Sequence, residues 1–162
     1  MNRGVRHGGG IIVLTFVVAL GLTIAPVPQT LALLRPEWVA LTLIYWCIAL
    51  PLRVGVFSGW LAGLLLDIIR GGLLGQYAAS YTVIAYLAVK LHKRVRNFPI
   101  WQQSLSAFLI LLIGQLITLW IKGMIGEPVH PLYYWLPSLA GLLLWPPVFL
   151  LLRFVRRNFH VQ

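Results

Sequence analysis

The chain holds 3 acidic side chains against 13 lysines and arginines, so the setting of each carboxylate limits the chemistry it can do. Asp67 stands alone in the apolar stretch from Val54 to Leu74, with Gly59, Gly63, Gly71 and Gly75 spaced around it at four-residue intervals. On a helix this spacing forms one row down a single face. Glycine removes side-chain bulk from that row and lets a second helix approach the backbone closely. A carboxylate in such a row suits ion pairing or hydrogen-bond acceptance. Hydrolysis by paired carboxylates needs a second acid close by, and Glu37 and Glu127 fall at the edges of other apolar segments.

The remaining catalytic chemistries lack their residues. His7, His92, His130 and His160 are expected in termini or connections, and none has metal-ligand spacing to another His, Asp or Glu. A phosphate-cradling loop of the Walker type is absent from the sequence. The lone Cys47 allows no intrachain disulfide and reads as a small packing residue. The expectation is a non-catalytic protein without metal or cofactor.

The elements that must position Asp67 are membrane helices. The chain of 162 residues is 60% hydrophobic and 10% charged, whereas soluble domains carry about 25% charged residues. A bilayer absorbs that apolar surface and a single soluble core does not. Residues 1–162 therefore read as one integral membrane domain. Six segments approach the length of a span: 11–25, 37–50, 54–69, 74–91, 100–125 and 132–152. Short connections make neighbours antiparallel. Pro146 and Pro147 lie within the last segment, where a kink is expected.

Orientation follows from the basic residues. With the N-terminus inside, ten lie on the inner side: Arg3, Arg6, Arg53, Lys90, Lys93, Arg94, Arg96, Arg153, Arg156 and Arg157. Arg35, Arg70 and Lys122 lie on the outer side. Six spans with both termini cytoplasmic fit the positive-inside bias. The net charge of +10 thus belongs to membrane topology and not to nucleic-acid binding. Arg3, Arg6 and the apolar run after them also resemble a secretory signal peptide. However, Pro26 and Pro28 crowd the place of a cleavage site, so an uncleaved first span is preferred.

A carboxylate at the bilayer centre costs roughly 2.5–3.5 kcal/mol and calls for a partner. Three cations share the outer depth of Asp67: Arg70 at i+3, Lys122 near the end of the fifth segment, and Arg35 before the second. Gln115, Thr118 and Lys122 fall on one face of the fifth segment, a polar stripe able to hydrogen-bond a neighbouring helix. Tyr77 and Tyr81 at i and i+4 read as a packed aromatic seam. The ladder of small residues is expected to receive a helix, from this chain or from a partner.

Several of these runs together resemble the MreD family of rod shape-determining proteins, in its gammaproteobacterial form. They are Arg35-Pro36-Glu37-Trp38-Val39, the stretch from Tyr45-Trp46 to Ala49-Leu50-Pro51, the Gly59–Gly75 ladder, Trp101-Gln102-Gln103, and Leu144-Trp145-Pro146. In one departure, Gln115 stands where some relatives carry an acid. The resemblance implies a non-enzymatic, multi-pass subunit of the bacterial inner membrane. It implies work with MreC, MreB, RodA and a penicillin-binding transpeptidase in the cell-elongation complex, building lateral peptidoglycan. It also implies a fold similar to the substrate-binding subunits of energy-coupling-factor transporters. A vitamin-like small-molecule binder in a membrane transporter, using Gln115, Tyr77 and Tyr81, is the alternative.

Overall fold

The computed structural model describes residues 8–32 and 34–161, and all their regular structure is helical. Arg3, Arg6 and His7 lie outside the described residues. Eight helices follow in order: α1 (Gly9–Ile24), α2 (Gln29–Ala32), α3 (Trp38–Ala49), α4 (Val56–Arg70), α5 (Gln76–Arg96), α6 (Ile100–Ile125), α7 (Pro131–Tyr134) and α8 (Leu136–Asn158). α2 and α7 are single turns.

Proline and glycine set most of these limits. α1 ends two residues before Pro26, and α3 lies between Pro36 and Pro51. α4 and α6 each stop on a left-handed glycine, Gly71 at φ 67° and Gly126 at φ 75°. α5 runs past the expected limit at residue 91 and takes in His92, which is therefore helical and not in a connection. Its last turn carries Lys93, Arg94 and Arg96, charges that suit a helix C-terminus. α8 continues through Pro146 and Pro147.

α6 and the α7–α8 run Pro131–Asn158 are each long and apolar enough to cross a membrane, and α1 and α3 are shorter apolar helices. α3 is the centre of the molecule. Every residue from Val39 to Ala49 is buried, as expected of a helix that is hydrophobic all round. α1, α5 and α8 pack around it, with α4 and α6 touching it less. Trp46 is fully buried there, and its indole N–H donates to Thr15 Oγ1 of α1 at 2.9 Å. By contrast α1 exposes Val13, Leu14, Val17, Val18 and Leu22, and α8 exposes Leu143, Leu150 and Leu151.

The closest helix pair is α4 with α5. A Cβ built on Gly59 would lie 2.6 Å from the carbonyl oxygen of Tyr81 and 2.6 Å from Cβ of Ala85. One built on Gly63 would lie 2.6 Å from Cα of Ala78. Backbone cannot yield as a side chain does, so these two glycines fix the spacing of the pair. Overpacking of this kind typically costs about 1–3 kcal/mol. Gly63→Leu is therefore expected to lower the melting temperature in detergent and loosen the pair. Gly21→Leu, on an exposed position of α1 with nothing within 4 Å of its Cβ, should leave the melt unchanged.

Candidate functional site

The glycine–aspartate row divides into three jobs. Gly59 and Gly63 admit α5. Gly71 and Gly75 bound the turn between α4 and α5, and both take the left-handed conformation, at φ 67° and 101°. Space is open around each of them, so backbone freedom and not bulk explains the glycine. Asp67 sits between these pairs, 1% exposed.

Its carboxylate accepts three backbone N–H groups. Gly75 N donates to Oδ2 at 2.9 Å, Tyr77 N to Oδ1 at 2.8 Å and Ala78 N to Oδ2 at 3.2 Å. These amides open α5. The first amides of any helix lack intrahelical partners, and the helix dipole places partial positive charge there. Gly75, as N-cap, has no side chain to satisfy them. Asp67 reaches across from the preceding helix and does so instead.

The expected pairing of Asp67 with Arg70, Lys122 or Arg35 is thus corrected. Arg70 turns to Glu37, with Nη2 3.5 Å from Oε1. Arg35 donates to the carbonyl oxygens of Thr23, at 2.6 Å, and Ala25, and so closes the C-terminal end of α1. Lys122 Nζ stands 5.9 Å from the ring centre of Tyr134. The physical reason is desolvation. A cation beside a carboxylate this buried must lose its own water as well. Backbone amides arrive already desolvated and already in need of an acceptor.

The groove formed by Gly59 and Gly63 is likewise filled by α5 of the same chain. Of the ladder's glycines, Gly59 and Gly63 meet that helix, the next one in sequence, and Gly71 and Gly75 do not.

Glu37, which the sequence reading left at a membrane edge, is the hub of a second polar group. Tyr81 Oη donates to Oε2 of Glu37 at 2.9 Å, and Arg70 Nη1 donates to Tyr77 Oη at 2.5 Å. The Arg70 guanidinium also lies 4.6 Å from the ring centre of Tyr77. Tyr77 and Tyr81 meet edge to face, their centres 6.3 Å apart. The available signal was charge sidedness: the positive-inside assignment had put Glu37 and Arg70 at the same outer depth.

The polar stripe of α6 borders a cavity of about 250 Å³ with these groups, and it is turned to bonding within the chain. Gln115 Nε2 donates to the Tyr134 carbonyl at 3.1 Å, and Tyr134 Oη donates to the Gln115 carbonyl at 2.7 Å. Ser138 Oγ donates to Gln115 Oε1. Thr118 and Ser80 both donate to the carbonyl of Gly114, at 3.1 and 2.7 Å. Gln115 therefore ties α6 to α7 and α8, the Gly114 carbonyl ties it to α5, and Thr118 bonds within its own helix.

The family model for the rod shape-determining protein MreD matches residues 7–155. The chain belongs to the MreD family. It is 35% identical over 143 residues to the rod shape-determining protein MreD of Haemophilus influenzae, covering 88% of each chain. No solved structure matches it significantly. The matched region runs from before α1 to residue 155 in α8, so the capped α4–α5 turn and the Glu37 cluster lie within the MreD homology. Together with its apolar helices, this makes the chain a membrane protein of the rod-shape class.

Double-mutant cycles separate the two polar groups. Contacting pairs couple by about 0.5–3 kcal/mol, and independent sites add within about 0.5 kcal/mol. Glu37→Gln with Arg70→Gln is expected to show coupling in thermal unfolding, and Asp67→Ala with Arg70→Gln, which meet only through Tyr77, should couple more weakly. Asp67→Ala alone strands three amides, one buried and two part-buried, at up to about 1–3 kcal/mol each. It should be the most destabilising single change of the three.

Proposed function

We propose that the chain is a non-catalytic inner-membrane subunit of the cell-elongation complex, required for rod shape and lateral peptidoglycan synthesis. The observation that carries this reading is the MreD match across residues 7–155. In this reading the protein scaffolds MreC, MreB, RodA and a penicillin-binding transpeptidase, with MreC as the direct contact. Gly59, Gly63, Asp67, Gly71 and Gly75 act by building the rigid α4–α5 unit. Gln115 acts by holding α6 to its neighbours.

In the same reading the chain crosses the membrane six times, through α1, α3, α4, α5, α6 and the α7–α8 run, with both termini in the cytoplasm. The ten-to-three division of basic residues supports this orientation. The exposed leucines and valines of α1 and α8 support lipid contact. α3 has only 12 residues, about 18 Å of helix. It is buried on every side, so this short helix is surrounded by protein along its own length.

The cavity beside Glu37 does gather Gln115, Tyr77 and Tyr81, the residues of the small-molecule alternative. Its volume of about 250 Å³ falls below the roughly 300–1,000 Å³ usual for ligand pockets. The polar groups around it are bonded to one another. Both features support scaffolding over vitamin capture.

Depletion of the protein is expected to turn rods into spheres with loss of lateral peptidoglycan incorporation, scored by microscopy with a fluorescent cell-wall label. A plasmid copy carrying Gly63→Leu or Asp67→Ala should restore rods poorly, and one carrying Gly21→Leu should restore them fully. Persistence of rods on depletion would refute the reading. A melting shift with a vitamin panel, in a protein that fails to co-purify with MreC, would favour the alternative.

A further inference from the structure

The ends of α3, α5 and α8 and the start of α6 enclose a cavity of about 400 Å³ at the far end of the molecule from Glu37. Arg96, Arg153 and Arg156 border it, with Gln103, Trp145 and Phe149 in its wall. Like charges gathered around one space repel unless an anion sits among them. Arg96 is partly engaged, since its Nη2 donates to the carbonyl oxygens of Ile48 at 2.7 Å and Ala49 at 3.2 Å. Arg153 and Arg156 have no acidic side chain to meet.

The sequence contains 3 acids, and each is placed elsewhere. Glu37 holds Arg70 and Tyr81. Asp67 holds the amides that open α5. Glu127 follows the other end of α6, whose 26 residues separate it from the cavity by roughly 40 Å. Among the described residues, no acidic side chain balances the arginines at this end.

Two further groups in the same wall lack partners among the described residues. They are Oε1 of Gln103, a residue 5% exposed, and Nε1 of the fully buried Trp145. Buried polar atoms without partners are rare, and here two border one cavity. The rest of the wall is aromatic and aliphatic, and Phe149 meets Tyr45 at 5.6 Å and Trp145 at 6.1 Å between ring centres.

We propose that this cavity binds the headgroup region of an anionic phospholipid, with its phosphate diester among Arg96, Arg153 and Arg156. Guanidinium forks match phosphate oxygens in pairs. A headgroup hydroxyl supplies the donor that Gln103 lacks. The aromatic wall receives the apolar part, a role that free phosphate does not fill. Assignment to the inner leaflet rests on the topology proposed above, whereas binding to the purified protein does not.

The test is a titration of the full chain, purified in neutral detergent, with phosphatidylglycerol, phosphatidylcholine or inorganic phosphate, read by melting temperature and native mass spectrometry. Phosphatidylglycerol is expected to bind and raise the melting temperature, with phosphatidylcholine at least about tenfold weaker. The double variant Arg153→Gln with Arg156→Gln should lose about tenfold in phosphatidylglycerol affinity, at unchanged helicity by circular dichroism. Arg157→Gln, exposed and outside the cavity wall, should not. Equal binding of both lipids by the unaltered protein overturns the proposal whatever the variants do. So does equal loss in Arg157→Gln, or inorganic phosphate alone giving the full shift. Rod-shape complementation is scored separately, so a failure of lipid binding leaves the scaffold reading to stand or fall by its own assay.

Discussion

Asp67 gives its negative charge to three amides of the helix that follows it, and the arrangement of α4, α5 and the tyrosines depends on that bond. The amides belong to a helix that would otherwise begin, buried, with nothing to accept them. Once they are held, the first turn of α5 is pinned beside the last turn of α4. α5 then runs back along α4, and the backbones meet so closely that Gly59 and Gly63 have no room for a Cβ. The same register brings Tyr77 to Arg70 and Tyr81 to Glu37. One carboxylate therefore positions a helix, and the helix positions a polar cluster that ties α3 into the pair.

Much of this was legible in the sequence, and the parts that were not share a cause. Helix limits were written in Pro26, Pro36, Pro51, Gly71 and Gly126, which act through the local backbone. The row from Gly59 to Gly75 was visible for the same reason, since four-residue spacing is a property of one helix. What covered the row was not visible, because it depends on how two helices meet. Asp67 was sought among cations because side chains are what a sequence displays. Its true partners are backbone groups, present at every residue and distinguished only by where a helix starts. Gln115 and Thr118 were legible as one polar face of α6, but the turn containing Tyr134 that Gln115 grips was not.

The two ends of the molecule solve opposite electrostatic problems. At the end holding Glu37 and Asp67, the acids are matched within the chain, one by a guanidinium and a tyrosine, the other by amides. At the other end arginines outnumber available anions, since no acidic side chain lies there. Arg96 shows how such a residue can still serve the fold, by closing the last carbonyls of α3. Arg35 does the same for α1 at the Glu37 end. Arg153 and Arg156 close no helix end in this way, and both border the cavity beside Tyr45.

A scaffold and a carrier make different demands on buried polarity. A carrier must leave donors and acceptors free for its cargo and must open to admit it. A scaffold needs a shape that does not change when partners bind, and bonded polar groups specify such a shape because each fits only one neighbour. Around the cavity near Glu37, the hydroxyls of Ser80, Thr118, Tyr81 and Tyr134 all donate to groups of this chain. Opening that region would break several of these bonds at once. The chemistry of this half of the protein therefore favours rigidity. The α4–α5 pair, locked by a cap at one end and by bare backbone along its length, is the element best able to hold a partner in a fixed orientation.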